Sequence, residues 1–251
     1  MKKFFGVKKY YDDVTNTYKH NVLIENNEEN KELIEKIYRQ CGRVMRGFNN
    51  KDMTIKYLNA IDVFEFDENI KPTQYIAYVD GSFNVDNNAG SSCSMILKDS
   101  IVINVDCKKV NKSYISNRNI GGELLSVLNT LKYCSKKNIK EITIYFDCMS
   151  VYECLLQQES EKDSDVIKYY KRMMQKYLKN IKVIFIHTKS HQANKYNILV
   201  DFISKSITLA KKSDNDKSNL KDMSINVKSN IVETLKQYLQ DDFELLVVKE
   251  S

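Results

Sequence analysis

Four carboxylic acids occupy positions in this 251-residue sequence where folding could bring them together. Asp80 comes late in an apolar, β-rich run, and the glycine after it permits close approach of a ligand. Glu123 follows two glycines at the start of a helical pattern, and Asp147 directly follows the run ITIYF. Asp201 lies in the first turns of the last helical pattern of the same segment. Each acid alone is more often a turn, cap or helix-dipole residue, so the prediction depends on all four together.

Four carboxylates in one crevice repel each other strongly unless cations are present. Hard oxygen ligands favour Mg²⁺ or Mn²⁺, and two ions about 4 Å apart suit in-line displacement at a phosphodiester. One ion would activate the attacking water, and the other would stabilise the leaving oxygen. The acids therefore predict phosphodiester chemistry with two metal ions.

The segment that carries these acids has the pattern of a mixed α/β fold. Three strands with short connections come first, followed by a helix with leucines along one face. The predicted strands are 75–83, 91–97, 101–107, 142–146 and 183–186, and the predicted helices are 122–136, 148–158, 164–179 and 197–210. This order predicts a five-stranded mixed sheet flanked by helices. The acids then fall at strand ends and helix starts, which meet in one crevice.

Polar stretches divide the chain into parts. The only proline, Pro72, lies in the polar run 67–74, which we interpret as a linker between a small α+β N-terminal domain (1–66) and a catalytic domain (75–211). Residues 212–251 are expected to form a C-terminal linker and a helix–strand extension. In that extension Asn230 and Glu233 have the spacing of a capping box.

Composition narrows the function only slightly. The net charge of +6 is compatible with a polyanionic partner but does not establish one. No apolar run approaches the ~18 residues of a membrane span, and the N-terminus lacks a signal-peptide pattern. The six cysteines show no CxxC pair, which predicts reduced, mostly buried thiols rather than a zinc site. A cytoplasmic protein without a membrane partner is expected.

Four stretches of residues 75–211 resemble the type 1 ribonuclease H family. They are YVDGSF (78–83), RNIGGELLSVLNTLKY (118–133), ITIYFD (142–147) and HTKSHQANKYNILVD (187–201). The last is the most specific, because the family has Lys-x-His, an asparagine six residues after the histidine, and an aspartate four further on. Lys189, His191, Asn197 and Asp201 match that pattern.

The resemblance implies a ribonuclease H-like fold and endonucleolytic hydrolysis of the RNA strand of RNA–DNA hybrids. It assigns two Mg²⁺ ions, replaceable by Mn²⁺, to Asp80, Glu123, Asp147 and Asp201. His191 would assist proton transfer or product release. Substrate contacts are expected from Gly81, Ser82, Asn119, Lys189 and Asn197, although Asn197 is expected to brace its loop and not to bind metal. Ile120 and Met149 depart from the asparagine and glutamine usual in the family.

The N-terminal residues resemble a viroplasmin-like, hybrid-binding domain. The matching stretches are KKFFGVK (2–8), the turn GRVMRGFNN (42–50) and the strand and helix TIKYLNAIDVFEF (54–66). RNIGGE also resembles the Arg-x-x-Ala-Gly-Glu run of enzymes that carry this domain. The domain usually stacks a tryptophan on DNA, whereas this chain has none. Tyr10, Tyr11 and Phe48 could replace it or could be core residues.

Two points stay open at the level of sequence. Lys168, Lys171, Arg172 and Lys176 have helical spacing and could contact phosphates or form a solvated face. The alternatives to a hybrid-cutting enzyme are a nucleic-acid-binding module with an inactive site and a DNA nuclease of the wider ribonuclease H-like fold. The first would lack an acid, and the second would differ around the last acid; this sequence has all four acids and the Lys-x-His stretch.

Overall fold

The computed structural model describes residues 3–41, 45–49, 51–60, 72–156, 159–188, 194–221 and 223–251. The chain divides into two compact units, Met1–Glu65 and Phe66–Ser251.

The first unit is a three-stranded antiparallel sheet with two helices. Its elements are β1 (Phe4–Asp12), β2 (Thr17–Glu25), α1 (Lys31–Cys41), β3 (Met45–Phe48) and α2 (Lys51–Ala60), and the strand order is β2-β1-β3. Val7, Ile24 and Ile37 form a small core. Residues 45–48, expected in a turn, form a strand, and 54–60, expected to begin with a strand, are helical. Residues 61–66 and the side chains of Tyr10, Tyr11 and Phe48 lie outside the described part.

The second unit contains a mixed sheet. The described residues form β4 (Tyr75–Asn84), β5 (Ala89–Lys98), β6 (Ile101–Lys109), β7 (Glu141–Phe146), β8 (Lys182–His187), β9 (Met223–Val227) and β10 (Leu246–Glu250). Their order is β10-β9-β6-β5-β4-β7-β8. The β4-β5-β6 meander is antiparallel, whereas the other neighbouring pairs are parallel. The predicted mixed α/β fold is confirmed, and the C-terminal residues widen the expected five strands to seven.

Helices cover both faces of this sheet. They are α3 (Asn119–Lys136), α4 (Ser150–Leu156), α5 (Asp165–Tyr177), α6 (Lys195–Ile207), α7 (Asp214–Leu220) and α8 (Ser229–Leu239). On one face, Met95 and Leu97 of β5 share a core with Phe202 of α6 and Leu235 of α8. On the other face, Ser92 of β5 meets Asn129 of α3. Alternate residues of a strand point to opposite faces, so β5 separates the two helical layers.

The C-terminal residues differ from the expected linker and single strand. Residues 214–220 form α7, whose last residue, Leu220, is fully buried, and 223–227 form β9. The capping box expected at Asn230 and Glu233 is absent from α8, whose N-cap residue is Lys228. A capping box instead begins α7, where Ser213 and Asp216 exchange hydrogen bonds.

The cysteine prediction is wrong for one pair. Cys93 and Cys107 are direct partners on adjacent strands, and their sulfurs are joined as a disulfide. Among the cysteines whose side chains are described, Cys134, Cys148 and Cys154 are free thiols, and Cys134 is buried as expected.

Candidate active site

The register between β4 and β7 places two of the acids side by side. These strands run parallel, and Tyr78 pairs with Tyr145. Asp80 and Asp147 each lie two residues beyond this pair, so both come to the same end of the sheet. The tyrosine rings stack at a centroid distance of 4.9 Å just below the acids. This parallel pairing explains why an acid late in one strand meets an acid that follows another.

Close packing of α3 on β4 and β5 brings Glu123 next to Asp80 and Asp147. A Cβ atom on Gly122 would collide with the Ser91 carbonyl oxygen and lie 2.9 Å from Gly81 Cα. A Cβ atom on Gly121 would come within 2.5 Å of the Tyr114 carbonyl oxygen. The two glycines therefore let the first turns of α3 lie directly on the strands. In this position the Gly81 amide donates a hydrogen bond to the Glu123 carboxylate.

The carboxylates of Asp80, Glu123 and Asp147 form a compact cluster. One oxygen from each lies within 4.8 Å of the others. Asp80 is 8% exposed and Glu123 is 2% exposed. Burial, followed by repulsion from Asp201 and Asp147, raises the pKa of Asp80 from 3.8 to about 7. Burial and the charges of Asp80 and Asp147 also raise the pKa of Glu123 well above its ordinary value. The cluster therefore has unfavourable charge density when it is fully ionised.

Two buried carboxylate oxygens of this cluster are suited to coordinating a cation. No hydrogen-bond partner reaches Asp80 Oδ2 or Glu123 Oε2 within the described portions of the chain. Unpaired buried carboxylate oxygens are costly, and a divalent cation would both neutralise and coordinate them. The carboxylates of this cluster are therefore suitable ligands for Mg²⁺ or Mn²⁺.

A pair of buried serines positions Asp80. The Ser204 hydroxyl, on α6, donates to the Asp80 carboxylate and lowers its pKa. Ser91 Oγ donates to the Ser204 carbonyl oxygen at 2.9 Å and lies 2.8 Å from Ser204 Oγ. Both serines are buried. Sequence reasoning missed them, although Ser204 lies three residues after Asp201 and therefore on the same helix face.

Asp201 stands beside the cluster, on α6. It is close enough for its charge to raise the pKa of Asp80, and its side chain is 39% exposed. Asp201 Oδ2 pairs with Lys205 Nζ at 2.8 Å, one helical turn further along. The structure thus brings three predicted acids together and places the fourth next to them.

The predicted substrate contacts are less completely placed. Lys189 and His191 lie outside the described residues. Asn119 is the first residue of α3, and Asn197 is half-buried in the first turn of α6. Ser82 Oγ lies 3.4 Å from Thr208 Oγ1, and the Gly81 amide is used by Glu123. Gly81 therefore has a structural role that its sequence position did not reveal.

Asn194 is a further residue that the sequence reading passed over. It is the N-cap of α6, where its side chain accepts a hydrogen bond from the Tyr196 amide at 3.0 Å. Its amide group also donates to Tyr78 Oη at 2.9 Å. Asn194 therefore ties the start of the helix that carries Asp201 to the strand that carries Asp80. An asparagine just before a helical pattern is an N-cap signal that could have identified it.

The basic residues of α5 are largely engaged with nearby oxygens. Lys171 is 5% exposed and pairs with Asp163 at 2.6 Å. Arg172 contacts both carboxylate oxygens of Glu159, and Lys168 donates to the Glu161 carbonyl oxygen. Lys171 forms a buried ion pair, so it neither lies on a solvated face nor is exposed for phosphate binding.

A mixed sheet with Asp80 and Asp147 at adjacent strand ends, and Glu123 on the helix beside them, defines an α/β protein whose acidic cluster has the ligand chemistry of a divalent-metal site. The sequence profile described as RNase H matches residues 72–211, more than half of the chain, and the chain belongs to the RNase H family.

Two solved structures show limited similarity. RNase H1 from the halophilic archaeon Halobacterium salinarum NRC-1 has 13% identity and a TM-score of 0.43, over 54% of this chain and 97% of that chain. The N-terminal RNase H domain of rv2228c from Mycobacterium tuberculosis, solved as a fusion with maltose-binding protein, has 15% identity and a TM-score of 0.42, over 53% and 92%. A search of curated proteins found no match. Within the described ranges, no helix has the length and apolar character to cross a bilayer.

Proposed function

We propose that this protein is a magnesium-dependent endonuclease that hydrolyses the RNA strand of RNA–DNA hybrids with two metal ions. The observation that carries the proposal is the cluster of the buried Asp80 and Glu123 with the half-buried Asp147 in a chain of the RNase H family. Its two unpaired carboxylate oxygens are of the chemical type that Mg²⁺ prefers.

Each acid has a defined part in this proposal. Asp80, Glu123, Asp147 and Asp201 hold the cations, which when bound neutralise charge and supply an activated water for attack on phosphorus. The Gly81 amide orients Glu123, and the Ser204 hydroxyl orients Asp80. Burial of both acids keeps bulk water from competing for their oxygens.

The remaining functional residues surround this cluster in the proposal. His191 assists proton transfer or product release, and Ser82, Asn119, Lys189 and Asn197 contact the hybrid. Recognition of the 2′-hydroxyl in the minor groove would distinguish the RNA strand from the DNA strand. A cytoplasmic location and a hybrid-binding role for residues 1–66 belong to the same proposal.

A cleavage assay with three substrates tests the function. Purified protein with Mg²⁺ is expected to cut the RNA strand of a labelled hybrid and to leave duplex RNA and duplex DNA intact. Asp80→Asn removes a metal ligand, and we expect the cleavage rate to fall roughly 100- to 1000-fold, as a loss of several kcal/mol of transition-state stabilisation implies.

The rival functions give different results in this assay. Binding of the hybrid without cleavage would identify an inactive binding module, and cleavage of duplex DNA would identify a DNA nuclease. Equal cleavage by wild type and Asp80→Asn would show that the acid cluster is not the active site.

A further inference from the structure

Lys205 links the carboxylate site to the C-terminal extension (212–251), which lies beyond the RNase H match. Lys205 Nζ lies 2.8 Å from Asp201 Oδ2 and 3.0 Å from Asp216 Oδ1, so it bridges two carboxylates. The lysine side chain is 29% exposed, and that of Asp216 is 20% exposed. The pair is therefore only partly screened by water.

The fold of the extension holds Asp216 in place. Asp216 Oδ2 accepts hydrogen bonds from Ser213 N and Ser213 Oγ, each at 2.8 Å, while Oδ1 receives Lys205. Ser213 Oγ in turn accepts from the Asp216 amide at 3.1 Å. Leu220, at the end of the same short helix, is buried in the core that also contains Phe202 and Ile203 of α6. Asp216 is thus fixed by both a capping box and core packing.

We infer that Asp216 tunes the metal affinity of the site by neutralising Lys205, an inference that rests on the proposed metal-dependent function. A lysine ammonium beside Asp201 competes with a divalent cation for that carboxylate and repels a cation bound there. Asp216 offsets this positive charge, because the ammonium is shared between its carboxylate and that of Asp201. The extension is thereby a working part of the active site, and Asp216 is a positioning residue that acts through Lys205.

The two partners of this contact are expected to have opposite effects. Asp216→Asn removes the carboxylate that offsets the positive charge of Lys205. Repulsion between Lys205 and the bound cation then increases, so Mn²⁺ should bind about threefold to tenfold more weakly. Lys205→Met removes the competing cation, so Mn²⁺ should bind at least as tightly as in wild type. A merely structural contact would weaken binding in both variants.

A double-mutant cycle gives the decisive test. Mn²⁺ binding is measured from the EPR signal of the free ion, without substrate, for wild type, Asp216→Asn, Lys205→Met and the double variant. Asp216→Asn should have no effect in the Lys205→Met background, since Asp216 acts through the lysine. Asp214→Asn removes an exposed charge from the first turn of the same helix and should leave the affinity unchanged.

Two results would overturn the inference: an unchanged affinity in Asp216→Asn, or equal weakening in both backgrounds, which would indicate a direct field effect. Thermal unfolding of each variant checks the fold, and asparagine keeps an acceptor for Ser213. Failure of the proposed function is recognised separately, because wild type itself would then bind no Mn²⁺ or leave the hybrid uncut.

Discussion

Asp80 is held by groups from several elements. Its carboxylate accepts a hydrogen bond from the Ser204 hydroxyl of α6. The carboxylates of Asp147, just after β7, and of Glu123, on α3, are close enough to repel it. The Ser204 hydroxyl is the neutral donor in this set, and Ser91 Oγ lies 2.8 Å from it while donating to the Ser204 carbonyl oxygen. Because a hydrogen bond to the charged form favours that form, Ser204 partly offsets the effect of burial on Asp80.

Ser204→Ala should therefore reduce activity without unfolding the protein. Loss of a hydrogen bond to a charged group is worth about 1.5–3 kcal/mol, so we expect the cleavage rate to fall roughly tenfold to 100-fold. The pKa of Asp80 should rise, and the acidic limb of the pH–rate profile should move to higher pH. Ser206→Ala, the same change on the same helix, removes only a bond to the Phe202 carbonyl oxygen and serves as control. An unshifted pH profile would contradict this role.

At this scale, the sequence was enough to select the acids but not their supports. Asp80 and Asp147 follow strand patterns, and Glu123 and Asp201 stand near helix starts, so local pattern and family motif identified them. Ser91 and Ser204 are 113 residues apart, and their contact depends on how α6 docks on β5. Lys205 has the i, i+4 spacing to Asp201, but its second partner depends on a helix that the sequence did not indicate.

At the scale of helices and strands, the site depends on the close packing of α3 against the sheet. Gly122 allows the helix to contact Gly81 and the Ser91 carbonyl oxygen, and this contact brings Glu123 to the Gly81 amide. Helix propensity alone would favour alanine at this position by about 1 kcal/mol. The steric contact therefore opposes the propensity, and the structure shows which effect dominates.

Gly122→Ala should destabilise the protein and displace Glu123. A Cβ atom against backbone requires α3 to move from the sheet, and we expect a loss of about 1–3 kcal/mol in the free energy of unfolding, with reduced cleavage. Gly90→Ala is the matched control, because its Cβ atom would meet Val110 Cβ at an ordinary 3.4 Å. Urea unfolding and the hybrid assay measure both effects. A Gly122→Ala protein as stable as wild type would show that α3 has room to adjust.

Elements with strong periodicity were predictable from sequence, and weakly patterned ones were not. The strands and helices of residues 75–207 follow alternating or helical apolar patterns, and their expected bounds differ from the observed ones by a few residues. The α7 sequence DNDKSNL has a single apolar residue, so its helix depends on the Ser213 cap and the burial of Leu220. The five-residue strand β9 alternates buried and half-buried residues, but its place beside β6 is a tertiary property.

At the scale of the whole molecule, the fold continues past the end of the family match. Residues 72–211 match RNase H, yet Ile225, Ile231 and Leu235 belong to the same core as Tyr196 and Phe202. The extension also adds β9 and β10 to the sheet beside β6. Residues 212–251 are therefore a structural part of the second unit.

The buried acid cluster should make the stability of the metal-free protein fall as pH rises. Asp80 keeps its proton to about pH 7 in the folded protein, against a reference pKa of 3.8, and the pKa of Glu123 is also raised. The folded state then binds more protons than the unfolded chain in this window, so stability present below about pH 4 is lost as pH rises through 7. The shift of Asp80 alone implies a loss on the order of 2–4 kcal/mol.

Thermal unfolding with EDTA should accordingly give a lower Tm at pH 8 than at pH 5, by several degrees. Added Mg²⁺ should raise the Tm more at pH 8 than at pH 5, because protons no longer compete for the carboxylates. Asp80→Asn removes one carboxyl group whose pKa is raised. The Tm of this variant without metal should therefore depend less on pH, and it should exceed that of wild type at pH 8. A metal-free Tm that is constant or rises from pH 5 to pH 8 would contradict the account, because the strain of gathering these charges would then be relieved by some other group.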